Sequence, residues 1–344
     1  MLNNTRYKYA LVDMSYILYR NAYAASAGKN AGDYTSGDII RITIQTLNKV
    51  SRDYGITADK FIFIYDKWDK NLGGYYRTYL LKGLYKDDRK VNYITRHDIE
   101  AMKLDPNVTE KQLSDAEKKV YFNEVCRDAK KTMIRELRNF GLPSVGIEGW
   151  EADDLIWLSS GLLYDDSGNQ NIKSNVIITK DSDIQYSLTP QMDYFRIPTS
   201  GSIPEVITYD TMYNTIPDSL KGKLSLYKYR AYLESLGDGH NNMRKTKKTG
   251  ANSEAAILHI LDGDYSDIED IEGFKTHLRT FNIGEFPRLE EAKKAVLEQF
   301  STIGKLGSQE EFHTFCSTYG VDGISDRYFT EFISRFDPRL YSEK

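Results

Sequence analysis

Cysteine is almost missing from this chain. Two residues, Cys126 and Cys316, stand in 344. So few and so far apart, they build neither a disulfide framework nor the paired spacing of a cysteine–zinc site, and a reducing, cytoplasmic compartment is the expectation. Also missing is any apolar stretch near the ~18 to 20 uninterrupted residues of a membrane span. The start, Met1 to Lys8, is polar and lacks the apolar segment of a secretory signal. A membrane is therefore not an expected partner. A surplus of positive charge is absent too: the formal net charge is −4. Taken alone, that speaks against a nucleic-acid binder.

The average hides a segregation of charge. Lys82, Lys86, Arg89 and Lys90 fall in one stretch, Lys118, Lys119, Lys130 and Lys131 in a second, and Arg244, Lys245, Lys247 and Lys248 in a third. Bases gathered in this way can meet phosphate even in an acidic protein. Tyrosine is abundant, with 26 copies. Tyrosines can stack on bases, but most are expected in or at the edge of the core.

Short apolar runs read as strands buried on both faces, since they do not alternate. They are Tyr9 to Val12, Phe61 to Tyr65, the weaker Ser144 to Ile147, and Val176 to Thr179. Helical periodicity separates them. Ile40, Ile44, Leu47, Val50 and Tyr54 recur at three- and four-residue steps over Asp38 to Tyr54, and Val125, Ala129, Met133, Leu137 and Phe140 do so over Asn123 to Phe140. Ala152 to Leu163 reads as a further helix. The alternation predicts an α/β fold with a central, mostly parallel sheet flanked by helices. The segment from Lys67 to Lys131 is long, polar and loosely periodic, the mark of a functional or disordered insertion. Ile203 to Tyr213 reads as irregular structure or a short strand. From Leu224 onward the pattern is mostly helical, with a soft boundary near residue 220.

The decisive regularity is where the acids fall. Asp13, Asp66, Asp181 and Asp183 each follow a strand, at the edge of a parallel sheet where ligands bind. One such aspartate commonly caps the next helix. Several, after different strands, exceed what capping requires. Glu151, Asp153 and Asp154 open a helix, where negative charge is stabilising by about 0.3 to 1 kcal/mol each when exposed. Two carboxylates ~4 Å apart repel by roughly 4 kcal/mol at an effective dielectric of 20, so a cluster of this size demands cations. Oxygen-only donors favour Mg²⁺, with Mn²⁺ as substitute, over zinc. A pair of such ions suits phosphodiester hydrolysis.

These residues carry a family resemblance. Leu11-Val12-Asp13-Met14-Ser15-Tyr16, Ile64-Tyr65-Asp66, Gly149-Trp150-Glu151-Ala152-Asp153-Asp154, Thr179-Lys180-Asp181-Ser182-Asp183 and Leu236-Gly237-Asp238 stand in the order and spacing of the flap endonucleases. That family of 5′-nucleases includes the nuclease domains of bacterial DNA polymerase I and the phage exonucleases. The sequence most resembles the bacteriophage ribonucleases H of flap-endonuclease type, over roughly residues 8 to 260. The resemblance implies a PIN-like 5′-nuclease core over 1–220 with a helical arch inserted at about 67–131. A helical C-terminal region with a degenerate helix–hairpin–helix would follow over 221–344.

It also implies roles. Asp13, Asp66, Glu151, Asp153 and Asp181 would serve a first Mg²⁺ ion and Asp183 and Asp238 a second, with Asp154 a ligand or a neighbour of one. Lys86 and Arg89 would be catalytic residues of the arch, gripping the scissile phosphate. Tyr76, Arg77 and Lys82, with Arg244, Lys245, Lys247 and Lys248, would contact nucleic acid, and Tyr76 would stack on an unpaired base. Asn241 stands where the family's Gly-Asp-x-x-Asp-Asn run has its second aspartate, so the second ion should be held more weakly.

The expected activity is cleavage near 5′ ends, flaps or RNA primers of DNA and RNA–DNA duplexes during replication, by a monomer, in the host cytoplasm if phage-encoded. A sliding clamp or single-strand-binding protein would be met by Phe329 to Leu340. The alternative is a DNA-junction binder of the same fold with little catalysis, for which Asn241 is the sequence support. An aspartyl-phosphate phosphatase would need a second aspartate two residues after the first, whereas Met14-Ser15 follow Asp13. A small toxin-like ribonuclease of related fold would lack the arch and the helical final third.

Overall fold

The computed structural model describes residues 6–56, 60–81, 94–139, 142–162, 172–197, 205–237, 244–301 and 309–321. Six strands form one sheet: β1 (Arg6–Asp13), β2 (Phe61–Ile64), β3 (Ser144–Val145), β4 (Ile172–Thr179), β5 (Met192–Arg196) and β6 (Glu205–Thr208), in spatial order β3-β2-β1-β4-β5-β6. All neighbours pair in parallel except β6, which runs antiparallel to β5. The chain thus builds outward from β1 in both directions, and the carboxyl ends of β2, β1 and β4 lie side by side. Register confirms it: Asp13 is opposite Ile64 on one side, and Val12 is opposite Ile178 on the other.

The unbroken apolar runs have a direct cause. Ala10 and Val12 of β1, with Phe61, Phe63, Val176 and Ile178, pack into the core on one face. Leu11, Ile62, Ile64, Val145 and Ile177 pack into the core on the other. Helices α1 (Met14–Ser26), α2 (Ser36–Tyr54), α5 (Glu110–Asn139) and α12 (Gln309–Thr318) contribute to the first face. The second is covered by α6 (Ala152–Leu162), α8 (Leu226–Leu236), α9 (Ser253–Leu261), α10 (Ile271–Arg279) and α11 (Leu289–Ser301). Short helices α3 (Tyr76–Leu80), α4 (Arg96–Leu104) and α7 (Tyr209–Tyr213) complete the chain order.

Local sequence explains the helix ends. Thr35 and Asp38 form a reciprocal capping box that starts α2, and Gly55 at φ 65° ends it, a left-handed position that glycine takes without strain. Between them Ile39, Ile40, Ile44, Leu47 and Val50 are buried, each stabilising by about 1.5 to 3 kcal/mol relative to exposure. The stripe read from Val125 to Leu137 is the last half of α5, a helix of 30 residues. Its first half carries Ala116 and Val120, which join Ile99 of α4 in a small separate core. Elements that escaped the sequence reading include α1, α3, α4 and β5, and the division of Ile203 to Tyr213 into β6 and α7. Among the described residues no helix is long and apolar enough to cross a membrane.

Candidate metal centre

Three aspartates at the strand ends share one device. Asp13 follows β1 and accepts the Tyr16 N–H through Oδ1 at 3.0 Å, capping α1. Asp181 follows β4 and accepts the Asp183 N–H through Oδ1 at 2.9 Å, capping the 3₁₀ turn Ser182–Ser187. Asp66 follows β2 and accepts the Ala152 N–H through Oδ1 at 2.6 Å, capping α6 from another part of the chain. Capping and ligation are therefore compatible: the cap takes one lone pair of each carboxylate and leaves further acceptor capacity on its oxygens. Thr179 links two of the three, donating through Oγ1 to Asp13 Oδ2 at 3.1 Å and accepting the Asp181 N–H at 3.1 Å.

Backbone pairing carries the next acids to the same edge. Beyond β2 and β3, the Gly149 N–H donates to the Lys67 carbonyl at 2.8 Å and the Lys67 N–H to the Trp150 carbonyl at 3.2 Å, which sets Glu151 beside the Asp66 segment. Gly149 has φ 85°, and a Cβ there would lie 2.7 Å from the Tyr76 ring. Trp150 is wholly buried and donates Nε1–H to the Pro287 carbonyl at 3.1 Å. From that anchored loop Glu151, Asp153 and Asp154 each offer an oxygen within 4.8 Å of one another. Seven of the acids picked from the sequence are thus described at one end of the sheet. Asp238 and Asn241 lie outside the described residues.

Burial and mutual repulsion show in the protonation of the group. Burial, then the Asp66 charge, push the Asp13 carboxyl up to about 8, and Asp181 and Asp153 add to the effect. Burial also raises Asp181. Asp154 is raised by burial and opposed by Arg77, whose guanidinium touches it. Carboxyls raised by burial and by one another are groups whose charged form a cation would stabilise. The donors are all oxygens, so the residues fit a hard divalent cation.

Two sequence expectations are corrected by burial. Arg77 was expected to reach nucleic acid. Its side chain is 2% exposed, and it faces inward: Nη1 lies 3.1 Å from Asp153 and 3.7 Å from Glu151, and Nη2 pairs with Asp154. It supplies positive charge within the cluster, and the Phe281 ring lies against it at 5.4 Å. Tyr76 was expected to stack on a base. It is buried, its ring packs on Gly149 and near Phe286, and its N–H donates to the Gly149 carbonyl at 2.8 Å. Its role is to support the Glu151 loop.

Lys82, Lys86 and Arg89 lie outside the described residues, as does the segment Phe329 to Leu340. Arg244, Lys245 and Lys248 are exposed in the loop between α8 and α9, while Lys247 is half-buried and bonds Ser253. Buried Thr246 anchors that loop, donating to the Ser235 carbonyl at 2.6 Å.

Residues given no part in the centre by the sequence complete it. Ser15 Oγ accepts the Asp66 N–H at 2.9 Å, and Lys130 Nζ donates to the Asp66 carbonyl at 2.7 Å and reaches Ser15 Oγ at 3.2 Å. Lys130 sits on the helical stripe's flank, and its spacing resembles that of any surface lysine. Arg230 of α8 is buried against Asp183. Nothing in the spacing of α8 marks it apart from its i, i+4 relation to Glu234.

No protein-family model and no curated protein matches the sequence. Solved structures do. The chain is similar to the bacteriophage T5 flap endonuclease in a pseudo-enzyme–product complex with DNA and metal ions, at 17% identity, covering 86% of this chain and 100% of that one, with a TM-score of 0.49. It is similar to the catalytic core of Rad2 in complex with DNA substrate, at 15% identity, 97% and 94% coverage and a TM-score of 0.49. It is also similar to human GEN1 in complex with Holliday junction DNA, at 12% identity, 96% and 73% coverage and a TM-score of 0.48. The family that the motifs resemble is thus represented, by a flap endonuclease, among the structures similar to this chain.

Proposed function

We propose that the chain is a divalent-metal-dependent, structure-selective 5′-nuclease that hydrolyses phosphodiester bonds near 5′ ends, flaps or RNA primers of DNA and RNA–DNA duplexes. The observation that carries this reading is the gathering of Asp13, Asp66 and Asp181, each capping a helix or turn, with the Glu151, Asp153 and Asp154 group and Asp183 at the carboxyl edge of one sheet.

Asp13, Asp66 and Asp181 would hold the cation, with Mg²⁺ the expected ion and Asp153, paired with Arg77, beside it. Once bound, a divalent ion polarises the phosphate and lowers the pKa of water beside it. The chain's own part is positional. Thr179, Ser15 and Lys130 fix the Asp13, Asp181 and Asp66 segments, and Arg77 keeps Glu151, Asp153 and Asp154 from repelling one another apart. Lys86 and Arg89 would grip the scissile phosphate as charge develops, and Arg244, Lys245 and Lys248 would meet duplex phosphates.

The test is cleavage of a 5′-labelled flap, a nicked duplex and an RNA–DNA hybrid, each with Mg²⁺ and with EDTA. Shortening from the 5′ side or release of the flap, lost in EDTA, is expected. Tight binding of all three without any cleavage would instead select the junction-binder reading.

A further inference from the structure

Arg230 is unused by that mechanism. It stands on α8 with its side chain 5% exposed, and three groups fix it. Nη2 lies 3.1 Å from the Asp183 carboxylate, Nη1 donates to the Asp183 carbonyl at 2.8 Å, and Nε lies 3.9 Å from Glu234 one turn along the helix. The Phe281 ring lies 5.9 Å from its guanidinium carbon, so the same ring serves Arg77 and Arg230. Such a guanidinium leaves its place only by opening the packing of α8 on the Ser182–Ser187 turn.

Asp183 is the described acid that the family resemblance assigns to a second cation, and here a side-chain cation already lies against it. An ion placed on Asp183 would face a like charge at close range and would compete for the same oxygen. It would also leave Arg230 with Glu234 as its remaining acidic partner among those named. The sequence removes charge from the same motif set, since Asn241 replaces the family's aspartate.

We propose that Arg230 takes the charge role of the second cation. The resting protein then holds one divalent ion tightly, on the Asp13, Asp66 and Asp181 side, and accepts a second only by displacing Arg230 from Asp183. This inference rests on the metal-dependent reading above. The competing account is that Asp183, Arg230 and Glu234 merely clamp the 3₁₀ turn to α8.

Calorimetric titration of the metal-free full chain with Mn²⁺, checked by the paramagnetic signal of free Mn²⁺, separates them. The wild type should take up one ion, any second binding about 100-fold more weakly. Arg230→Gln should bring the second ion to within about tenfold of the first, while Arg230→Lys, which keeps the charge, should hold the count at one. Asp183→Asn should leave the first ion's affinity within about threefold. Two ions of similar affinity in the wild type would overturn the proposal, as would Arg230→Gln that is folded by circular dichroism yet still binds one. If Arg230→Gln does not fold, the wild-type count and the Asp183→Asn affinity decide: a loss above about tenfold in Asp183→Asn overturns the proposal. No uptake of Mn²⁺ at all would sink the metal-dependent reading itself, a result distinct from uptake of two.

Discussion

The acid cluster has two sides that solve one problem differently. Glu151, Asp153 and Asp154 at the start of α6 surround the buried guanidinium of Arg77. Asp13, Asp66 and Asp181 at the strand ends are tied by backbone and hydroxyl donors. No ion pair within 4.0 Å links these three to a cation among the described residues; Lys130 donates to the Asp66 carbonyl rather than its carboxylate, and Arg230 acts on Asp181 from its place on Asp183. One side is neutralised from within, and the other is left to an external ion. Identical side chains therefore divide between building the site and operating it, according to what faces them.

That division is most sharply broken by activity. Asp181→Asn or Asp66→Asn should lower single-turnover cleavage by about 10³-fold or more, because each removes charge from the uncompensated side. Duplex affinity, measured by anisotropy in Ca²⁺, should hold or rise as repulsion of phosphate falls. Cleavage at the wild-type rate by purified mutant would show that the ion binds elsewhere.

On the compensated side the expected damage is to the fold. Arg77→Met leaves three crowded carboxylates without their cation, and removing one partner of a buried ion pair typically costs about 3 to 5 kcal/mol. Urea unfolding in EDTA reads this cost, and added Mg²⁺ should restore part of it by occupying the emptied centre. An unchanged midpoint in EDTA would mean that the guanidinium contributes little to holding the loop.

The Glu151 loop offers a smaller perturbation. Gly149→Ala puts a Cβ against the Tyr76 ring at a positive φ and should destabilise by about 1 to 3 kcal/mol. Replacing Tyr76 with Leu in the same background should recover some of it, a coupling that a double-mutant cycle measures.

The last effect is one of pH, and it is reversible. Burial and the neighbouring acids hold the Asp13 carboxyl near 8 in the folded chain, well above the ordinary aspartate range, so the metal-free folded state binds the extra proton. Stability from this group is present below the unfolded value and declines as pH rises toward 8. Asp13→Asn should therefore melt higher than wild type in EDTA at pH 8, with the gap closing near pH 5. A gap independent of pH would place the substitution's effect in hydrogen bonding rather than in charge.

Much of this centre was legible before any coordinates. Unbroken apolar runs ending in Asp13, Asp66 and Asp181 announced both the sheet and its working edge, because burial on two faces and ligation at the carboxyl end each leave a local pattern. Arg77 and Tyr76 misled for a physical reason. A basic and an aromatic residue next to other basic and aromatic residues read as a surface for nucleic acid, yet Gly149 and the acids of α6 draw both inward. Arg230 was silent, and Lys130 read as one of a basic cluster, because their partners, Asp183 and the Asp66 carbonyl, are remote in sequence. β5 was missed since Met192 to Arg196 mixes Asp193 and Arg196 with apolar residues, and its edge is covered by β6.

The long helix α5 has a mechanical consequence. At ~1.5 Å per residue its 30 residues extend about 45 Å. Its far end is gripped by α4 through Ile99, Ala116 and Val120, and Lys130, some twenty residues on from Glu110, is fastened to the Asp66 carbonyl. The helix is a lever with its short arm on the Asp66 backbone. A load applied at the α4 contact is carried along a rigid rod for roughly 15 to 20 Å and delivered to the Asp66 backbone.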